Sequence, residues 1–561
     1  MRKRLLKVCR VLVSLLFLTA TSLLFLDFSG ALSSSFINDI TWIQFVPSLL
    51  TFLYLPGFLA LGFLIVLAGT LLYGRIYCST VCPLGILQDV ISGLSRFYYR
   101  RVRQRSKPCR PSPPHNWLRY TLLTLTVLTF VSGSIFFLNL LDPFSLFGKI
   151  FAGLIRPVYF SLHNLTADAL YGFGIYTLYH VETRQTNLWP LVFPALMLGL
   201  IAVLSFRRGR LYCNTVCPVG SLLGLVSRFA VYRIAIDESL CTRCAQCSLN
   251  CKAECIDLKN SRVDFTRCVG CFNCLTVCSQ RGIDYQNHWF PPGNKASELH
   301  RNEAPGKATP DAPSRQTRMS GNATYGQGRR RFLFHLAAYF FGFAVASRVV
   351  RAEPLEKEIR KDLEIDVTRP STIPEKKRYP VSPPGSLGLA HFAGNCTACQ
   401  LCVAACPTKV LQPSFLEYGF TGMMQPRMDF HAGFCSFDCV RCTVVCPTGA
   451  ILPLSREQKQ LVQIGEVRLE LENCVVQTEK TACGACAEHC PTQAVYMVAY
   501  QNGLTIPEIT PEQCIGCGAC EYICPARPFR AIYIEGSPVH GRAVPPVIEE
   551  LDYEPEDDFP F

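Results

Sequence analysis

The sequence lacks the marks of several common redox and nucleotide-binding classes. No Cys-x-x-Cys-His occurs, which excludes the usual covalent attachment of a c-type haem. Neither the Rossmann nor the P-loop glycine pattern is present, which removes the standard dinucleotide and phosphate cradles. No basic stretch is interleaved with aromatic residues, so the net charge of +13 does not imply nucleic acid. Cysteine, in contrast, is abundant, with 31 in 561 residues. A disulfide framework is a poor account of them, because such frameworks belong to short secreted chains. The length itself calls for several domains.

Four apolar stretches lie in the first 206 residues, at 11–27, 49–73, 118–140 and 188–206. Each is about long enough to cross a bilayer, and no small-residue cleavage site marks the first as a signal peptide. Positive charge sets the expected orientation. Arg2, Lys3, Arg4, Lys7 and Arg10 precede the first stretch, and the loop at 28–48 has no Lys or Arg. The loop at 74–117 is rich in arginine, and Arg207, Arg208 and Arg210 follow the fourth stretch. The N-terminus and the 74–117 loop are therefore expected in the cytoplasm, with 142–187 outside.

One segment is duplicated. Gly74-Arg75-Ile76-Tyr77-Cys78-Ser79-Thr80-Val81-Cys82-Pro83-Leu84-Gly85 returns without gaps as Gly209-Arg210-Leu211-Tyr212-Cys213-Asn214-Thr215-Val216-Cys217-Pro218-Val219-Gly220. Cysteines four apart share one face of a helical turn. Together Cys78, Cys82, Cys213 and Cys217 offer four thiolates, enough for one further cluster or a zinc ion, or two redox-active dithiols. Packing cysteines at helix ends are the plain alternative.

Cys241, Cys244, Cys247 and Cys251 are spaced C-x2-C-x2-C-x3-C, and Cys268, Cys271, Cys274 and Cys278 repeat the spacing. In two-cluster ferredoxins three cysteines wrap one cubane and the fourth reaches the other. Cys241, Cys244, Cys247 and Cys278 would hold one [4Fe–4S] cluster, and Cys268, Cys271, Cys274 and Cys251 its partner. Lys252 and Ser279 stand where a proline is usual, and Cys255 is close enough in sequence to compete as a ligand. Four more runs follow: Cys396, Cys399, Cys402, Cys406; Cys435, Cys439, Cys442, Cys446; Cys474, Cys483, Cys486, Cys490; and Cys514, Cys517, Cys520, Cys524. Their starts lie 39, 39 and 40 residues apart, a repeat of one small unit. They supply four more cubanes, six in all, with a seventh open at the duplicated motif. The runs can pair in sequence, first with second, or nested, first with fourth.

The expected fold class is mixed: an α-helical membrane domain of four to five spans plus α+β ferredoxin-like domains. The expected divisions are 1–235 (membrane domain), 236–285 (cytoplasmic two-cluster ferredoxin), 286–328 (flexible linker), 329–350 (export signal or fifth span), 351–395 (linker), 396–535 (external four-cluster region) and 536–561 (acidic tail). Arg329-Arg330-Arg331-Phe332-Leu333-Phe334 and the apolar run after it resemble a twin-arginine export signal. That route suits a domain whose clusters are assembled on reduced cytoplasmic thiols and which crosses the membrane folded. His115, His163 and His180 are candidate quinone or haem contacts, although isolated histidines are more often ordinary polar residues.

Residues 1–285, with four spans, the two CxxxCP motifs and the trailing ferredoxin pair, resemble the NapH family of membrane subunits. The maturation proteins NosR and CcoG share similar elements. Residues 329–535, with Pro383-Pro384-Gly385, Phe392 and four runs of which the third is widely split, resemble NapG, a ferredoxin exported by the twin-arginine route. The resemblance implies a quinol dehydrogenase component of the bacterial inner membrane. It would pass electrons from menaquinol or ubiquinol to a periplasmic c-type cytochrome or reductase. The alternative is a maturation factor handling copper or thiol redox chemistry for a respiratory oxidase or reductase.

Overall fold

A computed structural model describes residues 2–27, 30–54, 61–102, 115–181, 189–258, 260–289 and 373–545. All of these belong to one compact unit, Met1–Pro291 with Pro370–Phe561. The twin-arginine-like segment 329–350, the first linker from 290, the second linker to 372 and the tail from 546 lie outside the described residues.

The first apolar stretch and its basic leader form one helix, Arg2–Leu26, about 37 Å long at the usual rise. Hydroxyls inside it fold back on its own carbonyls, as Thr21 does on Phe17. Among the described residues two helices are long and apolar enough to cross a membrane, Lys3–Leu26 and Pro190–Arg208. A bent pair, Ser34–Trp42 with Phe45–Leu53, makes a third candidate. Neither of the other two expected spans is covered by one described helix. The stretch 49–73 is divided between Phe45–Tyr54 and Gly62–Tyr73, where a Cβ on Gly62 would lie 2.0 Å from the Trp42 carbonyl oxygen. The stretch 118–140 breaks after Asn116–Val131 and resumes at Phe136–Leu141. Gly133, at φ +85°, turns the chain between them.

The first ferredoxin unit is closed by an antiparallel pair, Tyr232–Ile236 with Ile283–Asn287. The folded unit therefore starts before residue 236 and runs past 285. In the four-run region, termed external after its expected side of the membrane, Leu411–Pro413 pairs with Pro426–Met428, Val495–Ala499 with Thr505–Ile509, and Val462–Leu469 with Ile532–Arg542. Two boundaries differ from the sequence reading. Residues 373–395 belong to the fold rather than to a linker: Asn473 Nδ2 donates to the Ile373 carbonyl at 2.8 Å, and Phe392 is fully buried. Residues 536–542 continue the last strand instead of opening an acidic tail.

The two ferredoxin parts sit at opposite ends of the helix Arg2–Leu26. At its start Lys3 Nζ donates to the Ile283 carbonyl at 2.7 Å. Near its end Phe25 packs on Phe144 and Phe147, each 6.1 Å away by ring centroid. A Cβ on the neighbouring Gly148 would lie 2.1 Å from the Cys399 carbonyl oxygen, so this glycine admits the first external run. Thr51 Oγ1 donates to Pro447 O at 2.9 Å, Asn139 Nδ2 to Met423 O at 3.0 Å and Arg156 Nη2 to Ala404 O at 2.6 Å. These bonds seat the external region on the helical part.

Candidate iron–sulfur centres

In each copy of the duplicated motif the second cysteine is the N-cap of a helix that opens with proline: Cys82 before Pro83–Arg101 and Cys217 before Pro218–Ser227. Proline suits that first position because its missing N–H has no helical partner to lose. Cys217 Sγ accepts from Gly220 N at 3.3 Å. A helix N-terminus favours the thiolate form.

The two copies interlock reciprocally. Arg75 Nη2 donates to the Cys213 carbonyl at 3.2 Å, and Arg210 Nη1 donates to the Cys78 carbonyl. The glycine at the end of each motif makes room for the other copy's arginine. A Cβ on Gly85 would lie 2.7 Å from Arg210, and one on Gly220 would lie 2.9 Å from Arg75. The glycine that opens each motif has positive φ and meets the first ferredoxin unit. A Cβ on Gly74 would lie 2.8 Å from the Phe265 ring, and one on Gly209 would lie 2.6 Å from Lys252 O.

Cys78, Cys82, Cys213 and Cys217 are all buried, and each lies within electrostatic reach of the other three. Burial pushes the Cys82, Cys213 and Cys217 thiols up, which makes free thiols there poor nucleophiles. Arg75 is fully buried, and its hydrogen bonds go to Asn214 Oδ1, Thr266 O, Cys213 O and Cys78 Sγ, none of them a carboxylate. A buried cation needs a compensating anion. Four metal-bound thiolates meet that need, so the donor set fits an anionic cluster.

The ferredoxin runs come together with crossed fourth cysteines. One cavity is lined by Cys241, Cys244, Cys247 and Cys278, and Cys251 lies with Cys268, Cys271 and Cys274. In the external region Cys446 joins Cys396, Cys399 and Cys402, and Cys406 joins Cys435, Cys439 and Cys442. Cys524 joins Cys474, Cys483 and Cys486, and Cys490 joins Cys514, Cys517 and Cys520. The external runs thus pair in sequence, first with second and third with fourth.

In the four evenly spaced runs the chain is left-handed on both sides of the second cysteine. The residues are Arg243 and Ala245, Gly270 and Phe272, Ala398 and Gln400, and Gly516 and Gly518. Such bends turn successive N–H groups inward as an anion-binding nest. Runs two and three, with their irregular first gaps, lack them: Val440 and Gly484 stay at negative φ. Among the described residues no three cysteine sulfurs fall within 4.8 Å of one another; the one such trio of potential ligands is Glu375, His431 and Glu521. Tetrahedral zinc at about 2.3 Å from each sulfur would draw them to ~3.8 Å. The cysteine groups are spread for a larger object.

The sites form a series through the molecule. Cys274 lies near Cys247. Lys252 faces Cys271 on one side and Asp89 on the other, at 2.9 Å. Asp89 pairs with Arg210 Nε at 2.8 Å, and Arg210 faces Cys78 and Cys213. Tyr77 and Tyr212 connect that quartet to Asp142, and Asp142 neighbours Lys149, which faces Cys396 and Cys399. Beyond run two, Cys435 N donates to Cys517 O at 2.9 Å, so the spatial order of the external runs is one, two, four, three. Burial raises the Asp89 pKa, but Arg210, Lys252 and Arg10 together hold it well below the usual carboxylate range.

From sequence, Arg75 and Arg210 count only as charges that set the expected orientation, and Asp89 and Lys149 have no expected role. The two arginines were visible in the repeat itself, and Lys149 is a lone cation in an apolar segment. His180 Nε2 lies 2.7 Å from Asp168 in an exposed pair, away from the cysteine sites.

Crossed cysteine runs on small α+β units are the hallmark of a polycluster iron–sulfur protein. Models of a 4Fe-4S binding domain match residues 55–101 and 189–235, the two copies of the CxxxCP motif. Models of a 4Fe-4S dicluster domain match 395–452 and 481–527. The methylamine utilization ferredoxin-type protein MauM of Methylophilus methylotrophus is 32% identical over 27% of this chain and 69% of its own length. The ferredoxin-type protein NapG of Escherichia coli is 26% identical over 37% of this chain and 85% of its own. An uncharacterized protein, MJ0749 of Methanocaldococcus jannaschii, is 25% identical over 38% of this chain, which spans only 64% of that relative. No solved structure matches. The chain belongs to the ferredoxin-type protein family of MauM, and it is an iron–sulfur electron-transfer protein related to the Nap ferredoxins.

Proposed function

We propose that this protein oxidises quinol in the bacterial inner membrane and passes the electrons outward to a periplasmic cytochrome or reductase. The observation that carries this reading is the continuous series of cysteine sites from Cys241 to Cys486, with ferredoxin parts at opposite ends of the helix Arg2–Leu26. The crossed runs would hold six [4Fe–4S] clusters, and Cys78, Cys82, Cys213 and Cys217 would hold a seventh. Bound there, such clusters supply one-electron carriers whose potentials follow their hydrogen bonds, net charge and solvent exposure.

The rest is the work of the chain. The reciprocal bonds of Arg75 and Arg210 clamp the two motif copies together and set positive charge against four thiolates. The helical part holds the two ferredoxin parts apart, and Gly148 brings the helical surface into contact with Cys399. The N-terminus and first ferredoxin unit face the cytoplasm, as the basic loops imply, and the four-run region faces the periplasm.

The test is iron and acid-labile sulfide per chain in anaerobically purified full-length protein. The expected value is about 28 irons, four per cluster, with cluster absorbance bleaching on addition of a reduced menaquinol analogue. Simultaneous Cys78→Ala and Cys213→Ala substitutions should remove about four irons. Zinc without sulfide would overturn the reading. Copper bound at the CxxxCP pairs, with no bleaching by quinol, would favour a maturation factor.

A further inference from the structure

We propose that Cys255 is a second thiolate ligand for the iron served by Cys251, so that the inner cytoplasmic cluster has five candidate sulfurs for four corners. This rests on the assignment of a cluster to Cys251, Cys268, Cys271 and Cys274. Cys255 is buried, with its sulfur 3.5 Å from that of Cys251 and within hydrogen-bonding reach of Cys268. It therefore lies between two of the four expected ligands.

The position is unusual within this chain. Four residues beyond the last cysteine of each other run stand Gly282, Val410, Ala450, Ala494 and Pro528, none of which can ligate iron. The intervening turn itself is shared. Glu254 takes a left-handed conformation, as the corresponding Arg281, Lys409, Gly449 and Gln493 do, and here the residue folded back toward the fourth cysteine is Cys255. Arg210 N donates to Lys252 O at 3.0 Å, and Lys252 Nζ reaches Asp89 at 2.9 Å, so the turn is pinned to the membrane motif. With the backbone pinned and the sulfurs already in contact, side-chain rotation is enough to exchange them. The exchange breaks one Fe–S bond and forms another. The proton given up by the incoming thiol goes to the leaving thiolate, and no electron moves.

The experiment compares Cys251→Ala, Cys255→Ala, the double variant and Cys278→Ala in full-length protein purified anaerobically. Iron and sulfide content and the electron paramagnetic resonance of the reduced protein are the readouts. Cys278→Ala, whose site has Gly282 at the corresponding position, should lose about four irons. Cys255→Ala should keep the full complement. Cys251→Ala should also keep it, with a changed resonance from its inner cytoplasmic cluster, and the double variant should lose about four irons. Loss of a cluster from Cys251→Ala alone would overturn the proposal while leaving the cluster assignment standing. A full complement in the double variant would overturn the assignment itself, and the proposal with it.

Discussion

Lys149 Nζ lies 2.6 Å from Asn139 Oδ1 and 2.7 Å from the Asn139 carbonyl oxygen, fully buried and facing Cys396 and Cys399. The helical part thereby places a cation against the first external run. A cation beside a cluster favours its reduced form. Lys149→Met should lower the potential of one external cluster by roughly 100 mV, the scale of a unit charge at an effective dielectric near 20. Redox titration followed by electron paramagnetic resonance reads the shift, and four unchanged external potentials would refute it.

The reciprocal arginines make a second prediction. Arg75→Gln removes the bond to Cys213 O and leaves that buried carbonyl without its cation, while Gly220→Ala drives a methyl against Arg75 and Cys213 O. Each should destabilise the helical part by about 1–3 kcal/mol. Both should lower the iron retained after mild heating, with the loss confined to one cluster.

Asp89 joins Arg210, Lys252 and Arg10 at the junction with the first ferredoxin unit. Asp89→Asn strands buried cations and should cost on the order of 3–5 kcal/mol. The sign with pH follows from the low carboxylate pKa in the fold. The stabilisation is present above the unfolded value and is lost as pH falls below it. Denaturation of the wild type followed by cluster absorbance should therefore weaken below about pH 4, and the Asn variant should lack that component.

His540 is a separate pH probe in the external region. Its ring Nε2 lies 2.9 Å from Ser382 Oγ, and burial holds its pKa down to about 4. The neutral ring is the folded form, so its contribution is complete above the unfolded value near 6.5 and is lost as pH falls toward 4. The loss amounts to about 3 kcal/mol. His540→Gln should flatten the decline in denaturation midpoint between pH 6.5 and 4, and an unchanged slope would sink the assignment.

The cysteine runs could be read directly because their ligand geometry is local. An x2–x2 spacing imposes left-handed bends beside the second cysteine, and the two irregular runs lose them. The expected spans were less legible. Apolar composition continues through Gly133, yet its positive φ divides the helices there.

Spacing and repetition along the chain alone determined which cysteines group into runs, that each run lends its last cysteine elsewhere, and that residues 74–85 are copied at 209–220. Only the tertiary structure decided that run one exchanges its fourth cysteine with run two, that Arg75 and Arg210 cross between the copies, and that Asp89 and Lys149 stand between successive sites. The physical reason is that a ligand's distance along the chain is set by backbone geometry. Its partner in another run, and the charge that faces it, depend on which surfaces pack together.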